Sequence, residues 1–149
     1  MIKLNDHYDG SPTGRLRLTI RRNSEIIEEM DEQNLIVDIS KTIHSRLLGG
    51  STTGKIVTTI GFGTNGSAPV VGNTALTEAF TKPLDSVSYP AANQVQFNFS
   101  LLATEANGLN ILELGLLTDD ASLYARRIRA GVLSKQSDIS LTGSWVITF

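Results

Sequence analysis

Apolar and polar residues alternate along much of this chain with a period of two, the pattern of strands that bury one face and solvate the other. The clearest case runs from 139 to 149, where Ile139, Leu141, Trp145, Ile147 and Phe149 alternate with Ser140, Thr142, Ser144 and Thr148. Leu16, Leu18 and Ile20 alternate in the same way with Arg15, Arg17, Thr19 and Arg21, so one face is apolar and the other basic. Asn23-Ser24 supplies a turn, and Glu25 to Met30 returns as the second arm of a hairpin whose acidic side chains lie near those arginines. Val95, Phe97, Phe99 and Leu101 alternate with Gln94, Gln96, Asn98 and Ser100, and Leu112, Leu114 and Leu116 line the face of a further strand. Shorter strands are expected at Lys55 to Ile60, Leu84 to Tyr89 and Leu123 to Ile128.

Between Asn34 and Leu48 the period changes. Leu35, Ile39, Ile43 and Leu47 recur every four residues, which is one face of an α-helix, and Gly49-Gly50 is a fitting stop because glycine takes the left-handed cap freely. Short turns at Pro90-Ala91-Ala92-Asn93, Ala106-Asn107-Gly108 and Asp119-Asp120-Ala121-Ser122 join the later strands, so these pair as antiparallel hairpins. The expected fold is mainly β, an antiparallel β-sandwich with one α-helix at about residues 35–48 covering one side of a sheet. Residues 1–13 are polar and turn-rich and read as an N-terminal arm, followed by a single β-sandwich domain over 14–149.

With 149 residues, 40% of them hydrophobic, the chain can bury one sizeable core. A formal net charge of -2 gives no global field to recruit nucleic acid or an anionic membrane. The absence of cysteine removes disulfides and thiolate metal sites. No run approaches the roughly 20 apolar residues of a membrane span, and residues 1–10 lack the apolar stretch of a secretory signal. A soluble protein made in the cytoplasm is therefore expected.

Two glycine patterns invite a nucleotide-binding reading. Gly49-Gly50-Ser51-Thr52-Thr53-Gly54-Lys55 begins like a P-loop, but Ile56 stands where a magnesium-binding hydroxyl is needed, and the segment follows a helix and enters a strand. Gly61-Phe62-Gly63-Thr64-Asn65-Gly66 follows a strand, yet Ser67-Ala68-Pro69-Val70 cannot open the helix whose amino end would face a pyrophosphate. Both read as surface loops. His7, between Asp6 and Asp9, and His44, on the helix, show no ligand spacing, and neither sits in a hydrolase signature. No catalytic residue, metal or cofactor is expected.

Arg126-Arg127-Ile128-Arg129 is the densest positive cluster. In a strand Arg127 and Arg129 share one face and Arg126 takes the other, so the run is not one basic stripe, and it lacks the interleaved aromatics of a base-stacking platform. Salt-bridged or solvated arginines are the plain reading, and a protein interface is the functional one.

The order Gly61-Phe62-Gly63-Thr64-Asn65-Gly66-Ser67-Ala68-Pro69, Thr74-Ala75-Leu76-Thr77, Tyr89-Pro90, Gln94-Val95-Gln96-Phe97, Glu105-Ala106-Asn107-Gly108, Glu113-Leu114-Gly115-Leu116-Leu117, Leu123-Tyr124-Ala125-Arg126 and Trp145-Val146-Ile147-Thr148-Phe149 resembles structural proteins of tailed bacteriophages and prophages. It is similar to the attachment regions of tail-collar and tail-fibre proteins, which share a G-x-G…A-L-T…E-x-G-L-x-x-D-G-x-L-x-A-R progression. The resemblance covers about residues 55–149 and departs at Asp119-Asp120-Ala121, where many relatives have Asp-Gly. It implies a non-enzymatic virion protein of the tail, baseplate or fibre-attachment apparatus, made in the host cytoplasm. Its implied partners are itself, as a homo-oligomer, and other virion proteins, with no nucleic acid and no membrane insertion. On that reading Asp6, His7 and Tyr8 of the arm, with Arg126, Arg127 and Arg129, are the candidate subunit-interface residues. The alternatives are a capsid decoration protein and a host-surface carbohydrate-binding module. The latter needs Tyr8, Tyr89, Tyr124 or Trp145 around a groove, and Trp145 lies on the apolar face of its strand.

Overall fold

A computed structural model describes residues 10–149; Asp6, His7 and Tyr8 lie outside the described residues. The hairpin of β1 (Thr13–Arg22) and β2 (Glu25–Ile36) leads into α1 (Ile39–Leu48) and β3 (Val57–Gly63). Then come β4 (Phe80–Pro83), β5 (Ser86–Ser88), β6 (Gln94–Leu101), β7 (Asn110–Thr118), β8 (Leu123–Ser134) and β9 (Ile139–Thr148). All nine strands join one antiparallel sheet in the order β4-β3-β7-β8-β2-β1-β9-β6-β5, curled into a half-barrel. The curl is deep enough that Phe62 of β3 and Phe99 of β6, six places apart in that order, meet edge to face with centroids 6.1 Å apart.

The expected mainly-β, antiparallel character is therefore present, while the two separate layers of a sandwich are replaced by one continuous sheet. The physical reason is the length of β2. Glu25 to Asn34 run along β1, with a bulge at Ile27, and the last two residues, Leu35 and Ile36, pair with Arg126 and Ala125 of β8. One strand thus belongs to both wings, the outer one of β1, β9, β6 and β5 and the other of β8, β7, β3 and β4. Side chains of both wings meet in a single cluster that includes Leu16, Ile20, Phe99, Leu141 and Trp145 from one and Ile60, Phe62, Leu114 and Leu116 from the other. Each such side chain contributes roughly 1.5–3 kcal/mol on burial.

The same pairing corrects the helix. Leu35 carries the four-residue spacing but ends β2, so α1 starts at Ile39. Among its apolar residues only Ile43 is buried; Ile39 and Leu47 are each 38% exposed, so α1 plugs one end of the half-barrel and does not roof a sheet face. Its stop at Gly49-Gly50 is as expected, with Gly50 at φ +83° and the Ser51 amide bonded back to the Arg46 carbonyl. The Asn23-Ser24 turn has both residues at positive φ, the geometry of a two-residue hairpin turn that matches strand twist. Acidic β2 does neutralise basic β1: Asp31 accepts from Arg15 at 2.5 Å and from Arg17 at 3.4 Å. Arg15 beside it holds the Asp31 carboxyl below the usual carboxylate range. Among the described residues no helix is long and apolar enough to cross a membrane.

Candidate functional site

β7 departs most from simple alternation. From Leu114 to Thr118 every residue is buried, because the core covers one face and residues 64–79, folded back over the wing, cover the other. At this second face stands Glu113, fully buried in an otherwise apolar run. Arg126 on β8, equally buried, donates from Nε to Glu113 Oε2 at 2.6 Å. Two charges removed from water are tolerable only when their remaining polar atoms are also partnered. Here the returning segment supplies those partners. Arg126 Nη1 donates to the Ser67 carbonyl at 3.0 Å and to Asn73 Oδ1 at 3.2 Å, and Nη2 donates to the Asn65 carbonyl at 3.0 Å. Glu113 Oε1 accepts from the amides of Thr77 at 2.7 Å and Asn65 at 3.3 Å.

Glycines make the approach possible. A Cβ on Gly61 would stand 2.5 Å from Leu76 Cδ1, one on Gly115 would stand 2.9 Å from Leu76 Cδ2, and one on Gly63 would collide with the Glu113 carboxylate. Leu76 therefore seats over two bare backbones while Thr77 beside it binds the acid. Gly61, Gly63, Leu76, Thr77, Glu113, Gly115 and Arg126 come from four of the sequence blocks on which the phage resemblance rests, and they converge on this one construction. Glu113 was missed as a site residue in sequence. Its signal was an acid inside Ile111–Leu117 facing an arginine at the end of Leu123–Arg126, two ionisable groups in runs that otherwise read as core.

The other glycine segment is closed in a different way. The Gly54 amide donates to Asp119 Oδ2 at 3.1 Å and the Ile56 amide to Asp119 Oδ1 at 3.3 Å, so a carboxylate of the chain itself occupies the amides between α1 and β3. Next to it, Asp120 Oδ1 accepts from the Thr118 hydroxyl at 2.5 Å and from the Ser122 amide at 3.1 Å, which holds the Asp120 carboxyl well below the usual range. Ala121 between them has φ +65°, a left-handed conformation that favours glycine. Ala121→Gly is expected to stabilise the fold by about 0.5–1 kcal/mol, the relief of left-handed strain less the added freedom of the unfolded chain. A urea titration checks this, and a loss of stability would show that the turn does not carry that strain.

The arginine cluster is divided. Arg126 is enclosed in the ion pair just described and offers no surface to a partner. Arg127 bonds the Gln33 carbonyl at 2.9 Å and the Glu32 carboxylate, and Arg129 donates to Glu28 at 3.0 Å and to the Gly131 carbonyl at 3.2 Å. These two lie where β8 and β2 no longer exchange backbone hydrogen bonds, so arginine side chains bridge the wings beyond Leu35. The cluster acts first within the subunit.

An apolar groove opens at the α1 end. His44 Nε2 lies 2.8 Å from the Tyr124 hydroxyl, and Phe149 packs edge-on against the imidazole at 5.3 Å. Burial pushes the His44 pKa down and the Tyr124 pKa up, because each charged form would lose hydration there. Of the aromatics with polar handles, Tyr89 is 77% exposed at the groove rim, Tyr124 is buried beneath it, and Trp145 is core as expected. Among the described residues no three His, Asp or Glu side chains gather in a metal-binding group. Comparison of the chain with protein-family models, curated proteins and solved structures gives no match.

Proposed function

We propose that this chain is a non-enzymatic structural protein of a tailed-phage virion, a homo-oligomeric component of the tail, baseplate or fibre-attachment apparatus. The observation that carries this reading is the convergence of four of the eight resembling sequence blocks on one buried construction, the Glu113–Arg126 pair under Leu76 and Thr77. Here their order along the chain encodes a loop locked to a sheet. The two wings, packed through Phe62 and Phe99, serve on this reading as the layers of a sandwich-like subunit.

Association also suits the open sheet. Among the described residues β4 and β5 are its edges, each with one side on which no strand pairs, and symmetric contact between copies is a direct way to cover such edges. The chain purified from a recombinant source is expected to show a discrete multiple of the monomer mass by light scattering, and mass spectrometry of particles from the producing host is expected to contain it. A monomer at high micromolar concentration would remove the homo-oligomer, and absence from purified particles would remove the virion role.

A further inference from the structure

Two apolar surfaces of this chain face water, and neither covers the other. One is the groove at the α1 end, about 510 Å³ in volume. Leu47, Ile56, Val87, Tyr89 and Phe149 line it, and each is more than a third exposed. The other is the tip of the returning segment, where Val70 and Val71 are each more than half exposed. No residue of 64–79 lines the groove, so the tip does not fill it within one chain.

The tip is exposed and yet held in place. The Val70 amide donates to Asn73 Oδ1 at 2.9 Å, and the Asn73 amide donates back to the Val70 carbonyl at 3.0 Å. Asn73 Oδ1 also accepts from the enclosed Arg126, while the Val71 carbonyl accepts from the Asp38 amide at 2.9 Å, beside the start of α1. The buried Glu113–Arg126 construction thus ends in a fixed pair of valines. A surface fixed before binding loses little freedom on binding.

The two surfaces also match in charge. Residues 64–73 contain no Asp, Glu, Lys, Arg or His. At the groove, His44 and Tyr124 bond each other at 2.8 Å, and Lys55 bonds the Gly54 carbonyl at 3.0 Å and the Asp120 carboxylate at 3.4 Å. A neutral apolar tip therefore enters without stranding a charge. Val87 in the groove wall belongs to β5, so a copy seated there also lies beside the open edge of the sheet.

We infer that Val70 and Val71 of one copy dock into the α1 groove of the next, against Val87, Ile56 and Phe149. The contact rests on the homo-oligomeric reading and gives that reading its interface. Unlike surfaces meet in it, and a discrete assembly results when the rotation between copies closes.

The test is a pair of complementary variants followed by sedimentation. The parent is expected to be a multimer, and Val70→Asp with Val71→Asp, or separately Val87→Asp, is expected to weaken association at least about thirtyfold, the scale of losing an interface anchor. Mixed in equal amounts, the tip variant keeps its groove and the groove variant keeps its tip, so a species of twice the monomer mass is expected. Emission from the buried Trp145 reports that each variant remains folded. Because the chain has no cysteine, Val71→Cys combined with Val87→Cys gives one thiol pair for a short bifunctional cross-linker, and product between chains is expected. A multimer that either variant leaves intact, a mixture that stays monomeric, or the lack of any cross-link between chains overturns the inference and leaves the homo-oligomer standing. A monomeric parent removes both.

Discussion

Replacing Glu113 with alanine is expected to destabilise the protein by about 3–5 kcal/mol, the usual cost of stranding one partner of a buried ion pair. The substitution leaves the Arg126 guanidinium without its counter-charge and the Thr77 and Asn65 amides without an acceptor. Residues 64–79 then lose their main attachment to the wing, so limited proteolysis is expected to cut near Ser67 to Gly72 well before it cuts elsewhere. Arg126→Ala is expected to cost a similar amount, and the double variant much less than the sum, because each single change already abolishes the pair. Glu113→Leu with Arg126→Met, which leaves neither charge behind, is expected to recover a large part of the loss. Urea titrations of the four proteins form the cycle. A Glu113→Ala loss below about 1 kcal/mol, the scale of an exposed pair, would mean that the construction does not hold the segment.

Trp145→Ala is the second large effect, about 3–5 kcal/mol for removing a fully buried large aromatic. Trp145 sits on β9 between Leu16 of β1 and Phe97 of β6, and its Nε1 donates to Asn34 Oδ1 on β2 at 2.6 Å. The Asn34 side chain occupies the space that a Cβ on Gly14 would need, so β9 and β2 are tied across the bare backbone of β1. Trp145→Phe separates the two contributions: most of the packing stays, while the Asn34 acceptor is left without its partner, for an expected loss of about 1–3 kcal/mol. Thermal unfolding of both variants, with Asn34→Ala as the reciprocal change, measures the split. Stability of Trp145→Phe equal to the parent would show that the hydrogen bond contributes nothing.

The elements most legible in the sequence are those with one wet face. β1, β6 and β9 each keep a polar row in or near solvent, and their alternation places them within a residue or two. β7 is less regular because both of its faces are covered, and a bulge between Ile111 and Glu113 shifts the register, so Leu112 does not share the core environment of Leu114 and Leu116. Phe80–Pro83 is too short, and too interrupted by Pro83, to show a period, and β4 was not expected. Leu35 satisfies both a helical and a strand spacing, and the choice is made by β8, ninety residues away, which no local window contains. The same distance hides the site. Glu113 and Arg126 are visible as misplaced charges, whereas their partners at Asn65, Ser67, Asn73 and Thr77 become partners only once the segment folds back.

The strand order carries a consequence for synthesis. β7 and β8 are consecutive along the chain and can pair as they leave the ribosome, but β1 and β6 are joined only through β9, the last of the nine described strands to be made. Until residues 139–148 emerge, the apolar rows of Leu16, Leu18 and Ile20 and of Phe97, Phe99 and Leu101 have no strand between them. Such distant pairings close slowly, since the loop entropy is spent before the contact forms. A translation product that stops short of Ile139 is thus expected to present two open apolar edges and to aggregate more readily than one that includes β9.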